Sequence, residues 1–320
     1  MTKTRMICIA GATASGKTAA AVELAKLTDG EIVSADSMQV YRHMDIGSAK
    51  PTKEEMQGIP HHLIDCIEID RHGYSVSEYR DLATKAIYDI AGRGKLPIVC
   101  GGTGLYINSL VYPLNFADAD RDDALRERLR KMEEDEKGCL YAYLERIDEK
   151  TAKRLHPNDT KRIIRAIEVY EKSGKPLSEH GNDFRNENGA DIEFDPVMFG
   201  ITMPRELLYA RIENRVDAMM RDGLLQEVQS IMQLPCFSEE LPAMQGLGYK
   251  QIISHILHDD PPTLEETIYR IKLETRHFAK RQLTWFRRDD RIKWIDATEY
   301  GGAEKTAQRM AQIIDERGKA

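Results

Sequence analysis

Near the N-terminus, Gly11-Ala-Thr-Ala-Ser-Gly-Lys-Thr18 follows an apolar segment at 6–10 and precedes an alanine-rich run with helical spacing. A strand, a glycine-rich loop and a helix in immediate succession constrain the fold more than any other stretch of the chain. The glycines let the backbone curl so that successive N–H groups point inward, and the helix behind them adds the positive end of its dipole. The loop is therefore an anion cradle. The pattern G-x-x-x-x-G-K-[ST] sets Lys17 to reach terminal phosphates and the Thr18 hydroxyl to sit on a magnesium ion. By itself it calls for linked phosphates, which a nucleotide triphosphate or another pyrophosphate ester supplies.

Short apolar runs rich in β-branched residues at 31–35, 62–67, 96–100, 197–201 and 291–295 read as further strands. Apolar residues three and four apart predict helices over 18–27, 76–93, 204–221 and 264–285. Their alternation predicts an α/β fold with a doubly wound parallel sheet. Strand signals stop from 117 to 185, where 122–134, 138–144, 151–155 and 159–173 read as charged amphipathic helices. The expected organisation is a first part of the core (1–116), an all-helical insertion (117–185) and the remainder of the core (186–320). The polar, Gly- and Asn-rich segment 180–189 is expected to be a mobile connection.

An apolar fraction of 41% and a charged fraction of 31% belong to a soluble globular chain, and no stretch approaches the roughly 20 apolar residues of a membrane span. The first five residues leave no room for a signal peptide, so the expected location is cytoplasmic. Cys8, Cys66, Cys100, Cys139 and Cys236 are odd in number, scattered and never spaced C-x-x-C, which argues against disulfides and zinc. They are expected to be small buried apolar residues. The net charge of −7 argues mildly against a nucleic-acid partner. Between Arg270 and Lys293, however, nine basic residues face three acidic ones. Such a run is either a solvated helix face or a phosphate-binding surface.

Ligands of open parallel sheets collect at the carboxyl ends of the strands. Three segments stand there, the Gly11–Thr18 loop, 35–42 and 101–106, and all three are expected to converge on one cleft. Asp36 reads equally as a turn residue, a magnesium neighbour or a general base. Thr103 stands between glycines that let its hydroxyl come close to a ligand or merely make a tight turn. Arg211 and Arg215, four apart on one helix, share a face and can both reach an anion. Adjacent His61 and His62 point to opposite sides of a strand and lack a third ligand, so metal binding is not expected there; His255 and His258 read as ordinary helix positions.

Taken in order, Gly11–Thr18, Asp36-Ser-Met-Gln-Val-Tyr41, Met44-Asp-Ile-Gly-Ser-Ala-Lys-Pro51, Gly101-Gly-Thr-Gly-Leu-Tyr106, His156-Pro-Asn-Asp159 and Lys280-Arg-Gln-Leu-Thr-Trp-Phe-Arg287 closely resemble the isopentenyl-tRNA transferase family, the tRNA dimethylallyltransferases. The likeness spans nearly the whole chain. It implies a P-loop NTPase-like core whose helical insertion contacts tRNA. It also implies that Gly11, Ala12, Thr13, Ala14, Ser15, Gly16, Lys17 and Thr18 hold the diphosphate of dimethylallyl diphosphate, with Thr18 on Mg2+. Asp36 matches the base that takes a proton from the N6 amine of the adenosine 3′-adjacent to the anticodon, position 37. Thr103 matches a hydroxyl at the reacting centre that also touches tRNA, and Arg215 matches a ligand of the leaving pyrophosphate. The same resemblance implies tRNA contacts by Asp36, Ser37, Met38 and Gln39, by Arg126, and by Lys161, Arg162, Ile163, Ile164 and Arg165. It extends them to Gln245, Gly246, Leu247, Gly248, Tyr249 and Lys250, and to Thr275, Arg276, Lys280, Arg281 and Gln282. A monomer without a membrane partner is implied as well.

Departures are few. The second loop position, commonly proline in the family, is Ala12, which a backbone cradle tolerates. His156-Pro-Asn-Asp159 argues against the shorter relatives that prenylate free adenine nucleotides, and no cysteine beyond Cys236 supplies a C-terminal zinc finger. Two other readings share part of the pattern. A P-loop small-molecule kinase gives no reason for the insertion or for 280–287, and a non-catalytic RNA-binding P-loop protein predicts tRNA binding that survives loss of Asp36.

Overall fold

A computed structural model of the chain describes residues 3–71, 74–113, 122–180, 192–258 and 260–318. In chain order the core begins with β1 (Thr4–Gly11), α1 (Lys17–Thr28), β2 (Gly30–Ser34), α2 (Lys53–Met56), β3 (His61–His62), α3 (Val76–Gly92), β4 (Leu96–Gly101) and α4 (Gly104–Val111). Four helices follow, α5 (Asp123–Asp135), α6 (Cys139–Ile147), α7 (Glu149–Ala152) and α8 (Thr160–Ser173). The core resumes with β5 (Phe194–Thr202), α9 (Arg205–Arg221), α10 (Leu224–Met232), α11 (Tyr249–Leu257), α12 (Leu264–Phe286), β6 (Lys293–Asp296) and α13 (Ala303–Gly318). The chain forms two compact units, Met1–Val111 with Ile192–Ala320, and Tyr112–Asp191.

All six strands pair in parallel in the order β3-β2-β4-β1-β5-β6. Strands covered on both faces read as continuous apolar runs, and Met6, Ile7, Cys8, Ile9 and Ala10 are fully buried. Ile7 and Ile9 join Ile32, Ile98 and Phe199 in a core completed by α1 and by Ala307, Met310 and Ile314 of α13. Met6, Cys8 and Ala10 point by alternation to the other face. The chain adds β2, β3 and β4 to one side of β1 and β5 and β6 to the other, so the strand order switches at β1, where a ligand crevice belongs. Helix starts follow local chemistry: Ser75 with Glu78 and Thr263 with Glu266 form capping boxes at α3 and α12.

The second unit has its own core of Leu129, Leu140, Leu144, Ile163, Ile164 and Ile167, drawn from α5, α6 and α8. Among the described residues no helix is long and apolar enough to cross a membrane.

Three expectations need correction. The strand expected at 62–67 ends at His62, because Leu63 (φ 62) and Asp65 (φ 53) adopt left-handed backbone that breaks an extended run. The helix expected at 151–155 lies at Glu149–Ala152, since Asp148 caps it by accepting from the Thr151 N–H. Of the cysteines, Cys8 and Cys100 are buried, but Cys66 and Cys236 are exposed in loops. The positions 117 and 185 lie outside the described residues, as does all of 180–189 except His180.

Candidate active site

The cradle is built as its glycines require. A Cβ at Gly11 would lie 2.8 Å from Ser15 Oγ and 3.1 Å from the Ile201 carbonyl. Ala14 (φ 62) and Gly16 (φ 89) take left-handed backbone, a conformation alanine adopts only under strain. Gly16 precedes α1 without a side-chain cap, so the positive end of α1 is left for a ligand. Ala12 and Ala14 pack against Met203, Leu208, Ile212 and Ala279, which back the loop with apolar support. Ser15 Oγ is buried and has no partner among the described residues.

Cations surround this loop. Lys17 Nζ donates to the Ala12 carbonyl at 3.3 Å, Arg215 donates to Thr13 Oγ1 at 3.4 Å, and the Arg211 guanidinium lies beside Gly16. Burial lowers the pKa of Lys17 against the opposing charge of Asp36, and Arg215 lowers it further. Burial also lowers that of Arg215, where Glu55 opposes the shift and Arg211 adds to it. Among the described residues no carboxylate is paired with Lys17, Arg211 or Arg215. Lys17 and Arg215, desolvated without a paired carboxylate, favour a polyanion, and the exposed Arg211 adds positive charge beside them.

The facing wall comes from the ends of β2 and β4. Asp36 Oδ1 accepts from the N–H groups of Met38 at 2.9 Å and Gln39 at 3.4 Å, an Asx turn that leaves its other oxygen unengaged by the described residues. The Thr103 N–H donates to the Ala35 carbonyl at 3.0 Å, and its hydroxyl accepts from the Ser37 N–H at 3.0 Å. Gly101 admits no side chain because a Cβ would fall on the Ala35 backbone.

Thr13, Lys17, Asp36, Ser37, Met38, Thr103 and Arg215 line one cleft of about 340 Å³. Gln245, Gly246, Leu247, Gly248, Lys250, Thr275, Arg281 and Gln282 line it too, with an apolar side from Ile212, Val216, Met219, Ile271 and Phe278. Thr18 is half-buried on the first turn of α1 and is not part of that lining. Gln39 stands behind it, donating to the carbonyls of Ser48 and Ala49 at 3.5 and 3.2 Å.

Other residues are sorted apart. Tyr249 is 1% exposed, and its hydroxyl donates to Glu227 at 2.7 Å, so it anchors the wall from inside. Arg276 pairs with Glu213 at 2.5 Å, while Lys280 lines a separate cavity of about 310 Å³ with Arg205, Tyr209 and Arg287. His62 bonds Glu31 at 2.7 Å and His61 the Ile59 carbonyl at 2.9 Å, and among the described residues no group of three His, Cys, Asp or Glu could hold a metal. His255 lies in α11, whereas His258 is its extended C-cap residue.

Within the second unit, Ile163 and Ile164 are core residues, Lys161 is exposed and Arg162 pairs with Asp159 at 2.8 Å. Arg126 and Arg165 converge on Glu168, which is fully buried and bonds them at 2.8 and 2.6 Å.

Sequence reasoning missed two carboxylates. Glu168 is one. Glu227 of α10 is the other: it accepts from the N–H groups of Asp45 at 2.9 Å, Ile46 at 2.7 Å and Gly47 at 3.1 Å besides the Tyr249 hydroxyl. Each looks like an ordinary position on an amphipathic helix, and no motif marks either.

Known proteins resemble the chain over nearly its whole length. A family model described as IPP transferase matches residues 39–289. The chain belongs to the IPP transferase family. A tRNA dimethylallyltransferase of Desulforudis audaxviator is 49% identical to this chain over 314 residues, covering 97% of this chain and 98% of its own. One from Thermoanaerobacter sp. is 44% identical, covering 97% of both. Among solved structures, a tRNA delta(2)-isopentenylpyrophosphate transferase from Staphylococcus epidermidis has a TM-score of 0.71 at 40% identity, covering 98% of this chain and 100% of that one. A eukaryotic dimethylallyltransferase acting on tRNA has a TM-score of 0.81 at 30% identity, covering 96% of this chain and 77% of that one. The parallel sheet with its phosphate loop is thus the P-loop fold of this family.

Proposed function

We infer that the chain is a tRNA dimethylallyltransferase, which moves the dimethylallyl group of dimethylallyl diphosphate to N6 of adenosine 37 beside the anticodon and releases diphosphate. The observation that carries this reading is a cleft with a cationic phosphate cradle on one wall, an unspent carboxylate on the other and apolar side chains between them.

An exocyclic adenine amine is a weak nucleophile inside a stacked loop, so the base must leave the stack to enter such a cleft. Asp36 accepts the amine proton as the nitrogen–carbon bond forms and the allylic carbon–oxygen bond breaks. The bond's electron pair departs with diphosphate, whose charge is met by Lys17, Arg215 and the loop amides. Thr103, fixed by Ser37, directs its hydroxyl at the reacting centre. Magnesium suits the donors present: it prefers one or two protein oxygens plus phosphate oxygens to an all-protein cage, and Thr18, with the unpartnered hydroxyl of Ser15 nearby, supplies that kind of ligand. When bound it neutralises the diphosphate and eases its departure. The protein is read as a cytoplasmic monomer, which light scattering of the purified chain checks for the oligomeric part.

The deciding experiment incubates the protein with magnesium, dimethylallyl diphosphate and unmodified tRNA, then analyses digested nucleosides by mass spectrometry. One five-carbon unit on a single adenosine beside the anticodon is expected. Phosphate transfer from a nucleotide to a small molecule would sink this reading in favour of a kinase, and tRNA binding without any adduct would favour a non-catalytic module.

A further inference from the structure

We propose that Gln282 is a positioning residue for prenyl transfer: it fastens the diphosphate loop to the loop bearing Thr103 and thereby sets the distance between donor and acceptor groups. The proposal rests on the function inferred above. Gln282 belongs to α12 and is 6% exposed. Its amide is used at both ends, with Oε1 accepting the Thr13 N–H at 2.9 Å and Nε2 donating to the Gly102 carbonyl at 2.9 Å.

Thr13 and Gly102 leave the sheet from different strands, β1 and β4. Beyond Thr13 lies Arg215, bonded to its hydroxyl; beyond Gly102 lies Thr103, bonded to Ser37 next to Asp36. Gln282 is thus the middle of one hydrogen-bonded line from the pyrophosphate side to the base. The seat is close: a Cβ at Gly102 would strike the Gln282 amide, and one at Gly104 would strike Trp285, one turn further along α12. A side chain with one acceptor and one donor at this reach is required. Glutamate keeps the acceptor but sets a carboxylate oxygen against the Gly102 carbonyl, and methionine keeps the volume while leaving both backbone groups unpaired. The resemblance implies an RNA contact for Gln282; its two bonds to the protein leave one N–H and one lone pair of the amide over.

Reacting atoms must approach to about 3–3.5 Å, and a displacement near 1 Å costs on the order of 10²-fold. Gln282→Met and Gln282→Glu are therefore expected to lower kcat by roughly 10- to 100-fold while the Kd for tRNA stays within about twofold. Hydrogen exchange at the Thr13 amide gives a readout that does not depend on turnover, slow in the wild-type chain and fast in Gln282→Met, which lacks the acceptor. Weakened tRNA binding at unchanged kcat, or unchanged kcat in both variants, would overturn the proposal. Should neither variant fold, the wild-type chain still decides, because an unprotected Thr13 amide removes the bond on which the proposal stands. If the wild-type chain transfers no prenyl group, the functional reading fails separately. The affinity of the variants for inorganic diphosphate with magnesium then tests the fastening itself: a loss of about tenfold supports it, and no loss overturns it.

Discussion

Asp36 divides its labour between its two oxygens. One holds the turn that presents Met38 and Gln39, and the other is left for chemistry. Asp36→Asn keeps an acceptor for the turn and removes the base, so turnover is expected to fall by about 10² or more while tRNA affinity is unchanged. Single-turnover kinetics beside a filter-binding titration separate the two; equal losses in both would make Asp36 a binding residue only. Its place after a strand was visible in the sequence. Gln282 was named in advance only as an implied tRNA contact, because a hydrogen bond to Thr13, 269 residues away, leaves no local trace.

At the scale of elements, α10 shapes the wall at 245–250 without lining the cleft itself. Through Glu227 it gathers the backbone of 45–47 and the hydroxyl of Tyr249; Gly47 and the neighbours of Tyr249, Gly248 and Lys250, line the site. Glu227→Ala leaves several donors without a partner, and a partly buried unpaired donor costs about 1–3 kcal/mol. A lower denaturation midpoint together with weaker tRNA binding is expected. Donor binding at the phosphate loop is expected to be spared, as titration with inorganic diphosphate would reveal. Helix α12 is likewise two-sided: Ile271, Thr275, Phe278 and Gln282, four and three apart, face the cleft, whereas Lys280 and Arg287 face another cavity. The basic run predicted a helix but could not apportion its faces.

For the molecule as a whole, charge is distributed against the net value of −7. Arg281 is exposed at the cleft, so Arg281→Ala is expected to weaken tRNA binding and to reduce the salt dependence of log K by about one ion's worth. A slope identical to wild type would remove Arg281 from the RNA interface. A carboxylate in each unit contributes to acid stability. Hydrogen bonding from Arg93 holds Glu31 at about 2, with His62 adding to it. Glu168 is pushed up by burial, but the bonds from Arg126, the Asp122 N–H and Arg165 outweigh this and bring it to about 2. Both pKa values are depressed from 4.5, so their stabilisation is complete above about pH 4.5 and is lost as pH falls through about 2. Calorimetry between pH 6 and 2 is expected to show Tm dropping most steeply below 4.5, less so in Glu31→Gln. A flat profile in the wild-type chain would contradict this.

Most of what depends on neighbours in sequence was legible in advance, the start of α7 being an exception. The succession of strand, loop and helix at Gly11–Thr18, the α/β alternation, the helical stretch between the two parts of the core and the amphipathic α12 all follow from periodicity and turn chemistry over a few residues. Tertiary structure alone decided that Ile163 and Ile164 are core, that Tyr249 faces inward, that the third strand stops at His62, and that Glu227 reaches Gly47 across 180 residues. Those outcomes rest on pairings between distant segments and on the competition for buried space, and a polar side chain carries no mark of which remote backbone group will satisfy it.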